Sequence, residues 1–342
     1  MRLPSLLLGS IAAAAIVGVA LAQPFRIVEV ASVAAFPLGQ LAPQTVAFSD
    51  HKDDNVTDRT SGLIRFDDWA QTRPVQKQFL GLYPTFDELV LGLGTANAKP
   101  HKKRLHVYVA EGRFAFKRAP ASIRIGQYAT LDFLQRIDPA IKHKVIAAAD
   151  VAPNKNLQAA NHNPARRWCE SVGTVVCIES TYKLEGKLPL GIALVNKLRE
   201  HGKKYADTIE FQSELRVVPP AEIDDAGYRK LTGVDSPVIG ALEQNIVHVN
   251  QVMQFGKLLA VFQQHPSDSN ATVVTAFMVL GVDSDLFEKK KEYAETPVLR
   301  NLVPAQVISG NSTFNTGNSI SAGLPNYARN RLKAIAEILE KD

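Results

Sequence analysis

The feature that most constrains this chain is a group of closely spaced strand patterns in its C-terminal part. Residues 246–254, 257–264 and 271–282 are rich in β-branched and aromatic side chains, which favour strands. The segment from His265 to Asn270 has the composition of a turn. Connections this short join antiparallel neighbours, because a parallel pair needs a crossover of a dozen or more residues. The sequence therefore predicts an antiparallel sheet here.

Helical periodicity surrounds these strand patterns. One helix is predicted from about residue 189 to 199, and another from about Ser321 to the end of the chain. The last helix has an apolar stripe at helical spacing, formed by Leu324, Ala328, Leu332, Ile335 and Leu339. Further strands are predicted at 174–183 and 207–217. An antiparallel sheet with helices on one face is an α+β architecture, and we assign it to residues 168–342.

Residues 23–150 are predicted to form a smaller mixed α/β unit. Strand patterns occur at 26–30, 62–66 and 104–109. Apolar residues recur at helical spacing from Thr130 to Ala149, and Pro139 is expected to divide this stretch into two short helices. Residues 151–167 contain four Asn and two Pro with little periodicity, which predicts a linker or surface loop. We place the domain boundary there.

The first 22 residues have the form of an export signal. A short start with one positive charge, at Arg2, precedes an uncharged apolar stretch that ends at Leu21. Ala20 and Ala22 supply small residues for a signal peptidase, so cleavage is predicted between Ala22 and Gln23. An uncleaved anchor is the alternative, but an apolar stretch of about 16 residues is short for a membrane span of about 20. We predict a periplasmic or secreted protein with no transmembrane segment after cleavage.

Composition and charge indicate a globular protein and argue against a nucleic-acid partner. Apolar residues make up 46% of the 342 residues and charged residues 21%, which is ordinary for a globular protein. The net charge is only +5, and the basic residues occur in scattered pairs. Scattered basic pairs are typical of a solvated surface, and an exported protein does not meet nucleic acid. We therefore predict that nucleic acid is not a partner.

The chain has two cysteines, Cys169 and Cys177. An even number of cysteines in an oxidising compartment predicts a disulfide. A redox pair would favour Cys-x-x-Cys spacing, and a zinc site would need two more ligands nearby. A structural disulfide between Cys169 and Cys177 is the preferred interpretation.

The most unusual segment is residues 309–325, which is rich in Ser, Thr, Asn and Gly. It precedes the last helix, whose first backbone N–H groups favour anions. We predict a ligand site formed by Asn315, Asn318, Ser319 and Arg329. The alternative is a long loop in which a serine caps the helix, while Arg329 and Arg331 are solvated.

Motifs for catalysis, metals and cofactors are weak or missing. There is no Gly-x-Ser-x-Gly nucleophile motif and no phosphate-binding loop. The histidines are isolated, so no metal site and no cofactor are predicted, and His248 is expected to be a structural histidine on a strand.

The absence of a reactive motif favours an exported, non-enzymatic protein. Such a protein would bind an apolar or anionic small ligand, a lipid included, or would serve envelope assembly. The alternative is a periplasmic hydrolase with a Ser/His site near residues 309–325.

Overall fold

One sheet with three α-helices is the framework of the part of the chain that the computed structural model describes, namely residues 24–50, 57–58, 63–65, 105–151, 169, 175–183, 208–249, 253–283 and 320–342. The strands are β1 (Arg26–Glu29), β2 (Thr45–Asp50), β3 (Thr57–Asp58), β4 (Leu63–Arg65), β5 (Leu105–Phe116), β6 (Ile141–Val145), β7 (Val175–Lys183), β8 (Thr208–Val217), β9 (Val238–Val249), β10 (Met253–His265) and β11 (Asp268–Asp283). The helices are α1 (Leu131–Ile137), α2 (Asp225–Thr232) and α3 (Ile320–Lys341).

The strands follow the order β1-β2-β5-β11-β10-β9-β8-β7-β6, and the β3–β4 hairpin attaches to β5. Pairing is antiparallel throughout the described sheet except between β1 and β2, which are parallel. The fold is therefore mostly a mixed sheet, and the predicted α+β class fits it. Strand β5, from the predicted unit 23–150, lies between β2 and β11, so one sheet includes strands from both predicted units.

Several local predictions are confirmed. The predicted turn between 265 and 270 joins β10 to β11, with Pro266 and Ser267 at its tip. Strand β8, Thr208–Val217, matches the predicted strand 207–217 from its second residue onward, and its pairing with β9 shifts register between Gln212 and Ser213. Helix α3 begins at Ile320, and its predicted stripe includes the buried Ala328, Leu332 and Leu339.

The prediction of two short helices between 130 and 149 is half wrong. Thr130 caps α1 by accepting a hydrogen bond from the N–H of Phe133, and the helix ends at Ile137 before Pro139. The second half is strand β6, in which Ile141 is buried while its neighbour Lys142 is exposed. Hydrogen bonds to β7 and an alternation of period two outweigh the apolar spacing that indicated a helix.

The two faces of the central sheet differ in chemistry. Helix α3 packs on the face that carries Gly112, because a Cβ at this glycine would lie 2.6 Å from Cδ1 of Leu332. Arg113 follows Gly112 in the strand and so points to the opposite face, where it donates to the carbonyl of Thr232 at the end of α2. The prediction that the helices lie on one face is therefore not confirmed.

Candidate functional site

A row of small residues crosses the sheet beneath α3. Ala260 of β10 pairs with Ala276 of β11, which pairs in turn with Gly112 of β5. Larger residues, Leu242 and Phe48, end the row on its two sides. The missing side chain at Gly112 lets Leu332 sit on the backbone, whereas the two alanines leave space unfilled.

A cavity of about 50 Å³ lies over these alanines, between α3, α1 and the sheet. Its wall is mainly apolar and includes Phe133, Ile137, Leu215, Leu242, Leu258, Ala260, Ala276, Met278, Leu332 and Ile335. The volume is about one third of the roughly 150 Å³ engineered apolar cavity that binds benzene or xenon. It therefore admits a short aliphatic group without any movement of the protein.

Arg331 is the cation in the wall of this cavity. Its Nη1 donates to Oδ2 of Asp138 and, at 2.9 Å, to the hydroxyl of Tyr327, while its Nη2 donates to Oε1 of Gln244 at 2.8 Å. Gln244 continues the network by donating from Nε2 to Oγ of Ser213 at 3.0 Å. The remaining donor, Nε of Arg331, is buried and has no hydrogen-bond partner among the described residues.

Burial sets the protonation of this network. It lowers the pKa of Arg331 to about 10, so the guanidinium stays cationic at neutral pH. Burial raises the pKa of Tyr327, so its phenol stays neutral and can accept the bond from Arg331. The carboxylate of Asp138 balances the cation from the C-cap of α1. The site therefore combines an apolar wall with one compensated buried charge.

A Ser/His pair lies at the β6–β7 edge, a place that the sequence did not indicate. Nδ1 of His143 lies 2.8 Å from Oγ of Ser180. Burial lowers the pKa of His143, so the imidazole is neutral at pH 7 and can accept from the serine. Nε2 is buried and donates to no carboxylate in the described part of the chain, whereas a catalytic triad places an acid on the second nitrogen. Ser180 is fully buried as well, which favours a structural role for this pair.

The predicted site residues fall in different places. Asn315, Asn318 and Ser319 lie outside the described residues, as do Ala22 and Gln23 of the predicted cleavage site. The disulfide between Cys169 and Cys177 is confirmed, with a Cα–Cα distance of 5.6 Å. The predicted loop 151–167 and the predicted helix 189–199 are not described beyond Val151.

Arg329 lies on the same helix as Arg331 but does not line the cavity. Its Nε donates to Oε1 of Glu29 at 2.7 Å, and its guanidinium lies 4.8 Å from the ring centre of Phe48. Its role in binding a ligand remains a prediction. The sequence indicated Arg331 only as a residue of the first helical turns, and its burial was not predicted because partners such as Asp138 and Gln244 are far from it in sequence.

His248 lies on β9 as predicted, and its side chain is not described. Within the described ranges, no group of three or more His, Cys, Asp or Glu residues could hold a metal ion. None of the described helices is long and apolar enough to cross a membrane.

Comparisons with known proteins add little. No protein-family model matches the chain, and no curated protein matches it. Three solved structures of norcoclaurine synthase from Thalictrum flavum align with it at 9%, 10% and 12% identity, each with a TM-score of 0.28. The alignments cover 68%, 61% and 60% of this chain and 87%, 94% and 93% of theirs. One of those structures holds dopamine and hydroxybenzaldehyde. Likeness at this level carries no argument about the function of this chain.

Proposed function

We propose that this protein binds a small apolar ligand in the cavity between α3 and the sheet. The observation that carries the proposal is the pair of alanines, Ala260 and Ala276, which leave an apolar space under a helix that is otherwise closely packed. Protein interiors are normally packed with few voids larger than a water molecule. An apolar cavity of about 50 Å³ is therefore a place where a ligand gains contacts without displacing protein side chains.

Arg331 gives this ligand one polar contact. Its Nε is a buried donor without a partner in the described residues, and a buried donor of this kind costs about 1–3 kcal/mol when it is left unpaired. A ligand with a single acceptor, such as a carbonyl or ether oxygen, would satisfy that donor. The ligand class that fits is a short aliphatic molecule with one oxygen acceptor.

Larger ligands require α3 to move outward. Small-molecule pockets usually have volumes of about 300–1,000 Å³, well above the cavity described here. Among the described residues, three ion pairs hold the helix in place: Arg331 to Asp138, Arg329 to Glu29, and Arg136 to Asp342, which follows the last residue of α3. Two of these pairs are partly exposed, so breaking either of them costs less than breaking the buried pair of Arg331 with Asp138.

The proposal is tested with xenon and 2-butanone as probes. Both should bind the wild-type protein when followed by NMR, xenon through the apolar wall and 2-butanone through the wall and Arg331. Ala260→Leu should fill the cavity and abolish both signals, whereas Ala149→Leu, the same change at an exposed alanine, should leave both unchanged. Arg331→Met should weaken 2-butanone and spare xenon.

Two outcomes would contradict the proposal. Xenon that fails to bind the wild-type protein would show that the cavity does not take an apolar guest. Equal binding of both probes by wild type and Ala260→Leu would place them elsewhere. Both outcomes are measured without Arg331→Met, because that variant loses a buried ion pair and is expected to be less stable. Arg329→Met tests the arginine of the predicted site, Arg329, with the same two probes.

We also propose export, with a periplasmic or secreted location. The disulfide supports it, because disulfides persist in oxidising compartments. N-terminal sequencing of protein made in cells should begin at Gln23, and an intact Met1 in a membrane fraction would instead indicate an anchor. A role in envelope assembly and a hydrolase site near 309–325 are the alternative proposals. Residues 309–325 lie outside the described ranges except for the last six positions.

A further inference from the structure

The sheet face opposite α3 carries a buried group of polar side chains, which we call the charged cluster. It consists of Glu214, Arg216, Glu243, Asn245 and Lys257, on strands β8, β9 and β10. Each of these residues is at most 3% exposed. Strand pairing brings them together, since Glu214 lies opposite Asn245, Arg216 opposite Glu243, and Asn245 opposite Lys257.

Glu243 is the centre of the charged cluster. Its Oε1 accepts from Nε of Arg216 and, at 3.2 Å, from Nδ2 of Asn245. Its Oε2 lies 3.3 Å from Nζ of Lys257. Asn245 also donates from Nδ2 to Oε1 of Glu214 at 2.9 Å. Buried ion pairs contribute little to stability compared with well-packed apolar residues, so stability alone does not account for this set.

Two atoms of the charged cluster lack partners among the described residues. They are the donor Nη1 of Arg216 and the acceptor Oδ1 of Asn245, and both are buried. The orientation of the Asn245 amide is fixed, because its Nδ2 faces two carboxylate oxygens that can only accept. Arg216 and Asn245 bond to the same oxygen of Glu243, so the free donor and the free acceptor belong to neighbouring side chains.

Glu222 separates Arg216 from solvent. Nη2 of Arg216 donates to Oε2 of Glu222 at 2.8 Å, and the Glu222 side chain is 42% exposed. Glu222 ends a short 3-10 turn, Pro220–Glu222. When this carboxylate rotates into solvent, Nη1 and Nη2 together form the planar fork that binds a carboxylate with two hydrogen bonds.

We propose that the charged cluster binds a small 2-hydroxy acid. The ligand carboxylate takes the place of Glu222 on Nη1 and Nη2 of Arg216, and the ligand hydroxyl donates to Oδ1 of Asn245. One carboxylate replaces another as the direct partner of Arg216, so the guanidinium keeps an anionic partner. The side chains of this site point to the sheet face opposite α3, although Glu243 also borders the cavity beneath α3. The two sites take different ligands, so each proposal is tested by itself.

The test measures binding of lactate, acetate and 2-propanol to the full-length protein by calorimetry at low ionic strength. Lactate should bind, acetate should bind at least about tenfold more weakly because it lacks the hydroxyl, and 2-propanol should not bind. Glu222→Gln should tighten lactate binding by up to about fivefold, because the competing exposed ion pair is worth at most about 1 kcal/mol. Glu222 is exposed, so this variant is expected to fold.

A matched control separates displacement from general electrostatics. Glu337→Gln removes the same charge from a partly exposed ion pair with Lys333 on α3, and it should leave lactate affinity unchanged. Equal affinity for lactate and acetate would overturn the contact with Asn245. Lactate affinity that is the same in wild type and Glu222→Gln would overturn the displacement of Glu222. A crystal grown with lactate that shows only an ordered water between Nη1 and Oδ1 would overturn the site.

Discussion

The backbone N–H of Cys169 donates a 3.0 Å hydrogen bond to Oε2 of Glu214, whose strand partner is Cys177, the other half of the disulfide. Cys169 has a φ of 64°, in the left-handed region that costs a non-glycine residue about 1–2 kcal/mol. The disulfide and the bond to Glu214 together hold it there. The covalent link thus positions a backbone donor against a buried carboxylate of the charged cluster.

The first prediction concerns the disulfide. Cys169→Ser/Cys177→Ser should lower the free energy of unfolding by about 2.5 kcal/mol, the loop-entropy value for so short a loop. Urea unfolding of the oxidised wild type and the double variant measures this difference. Glu214→Gln should then cost less in the double variant than in the wild type, because the N–H of Cys169 is no longer held in place. Equal stability of the wild type and the double variant would contradict the prediction.

The second prediction concerns Gly233, which follows α2 with a φ of 70°. A Cβ at this position would lie 2.3 Å from the carbonyl oxygen of Ala34, and backbone atoms cannot easily yield. Gly233→Ala should destabilise the protein by at least about 2 kcal/mol, from the left-handed backbone and the overlap together. Gly39→Ala is the control, because a Cβ there meets nothing within 4 Å. It should stay within about 0.5 kcal/mol of wild type in the same urea experiment.

Local patterns predicted the elements that local interactions determine. The β10–β11 hairpin, the disulfide and the apolar stripe of α3 all depend on residues close in sequence, and all three are confirmed. Strand β6 was predicted as a helix because its apolar residues fit both the helical and the strand period. Its pairing with β7 makes it a strand. The periodicity of the sequence does not predict which strand β6 pairs with.

The candidate site could not be predicted from the sequence either, because its contacts join residues that are far apart along the chain. The close approach of Leu332 to Gly112 and the contacts of Arg331 with Asp138 and Gln244 join residues separated by 87 positions or more. In the sequence, Gly112 is one of 21 glycines and Arg331 belongs to a pattern that resembles a solvated helix face. Strand register and the placement of α3 bring them together, and neither is encoded in a short motif.

The third prediction concerns the pH dependence of stability through His143. Burial lowers its folded pKa below the ordinary value of 6.5. Below pH 6.5 the unfolded chain therefore takes up a proton that the folded protein does not, and stability is lost as the pH falls toward the folded pKa. From about pH 7.5 upward this group contributes no slope, because the imidazole is then neutral in both states.

His143→Gln should remove that part of the pH dependence. The difference in unfolding free energy between wild type and variant should change between about pH 7.5 and pH 5, with the wild type losing more. Lys144→Gln, at the next and exposed position of β6, should keep the wild-type slope. A slope that is the same in all three proteins would show that His143 does not titrate in this range.

The last prediction concerns the buried ion pair between Arg331 and Asp138, whose side chains are 6% and 10% exposed. Removing either partner leaves a buried charge uncompensated. Arg331→Met should therefore destabilise by about 3 kcal/mol or more, and Asp138→Asn by a similar amount. The double variant removes both charges together, so its loss should be smaller than the sum of the two single losses by about 1–3 kcal/mol.

The control is the exposed pair Arg136–Asp342, whose side chains are 40% and 26% exposed. Arg136→Met should cost at most about 1 kcal/mol of unfolding free energy. Urea unfolding at neutral pH measures the four variants against the wild type. Single losses that simply add in the double variant would show that Arg331 and Asp138 do not act as a pair, and Arg331 would then be available to a ligand without competition from Asp138.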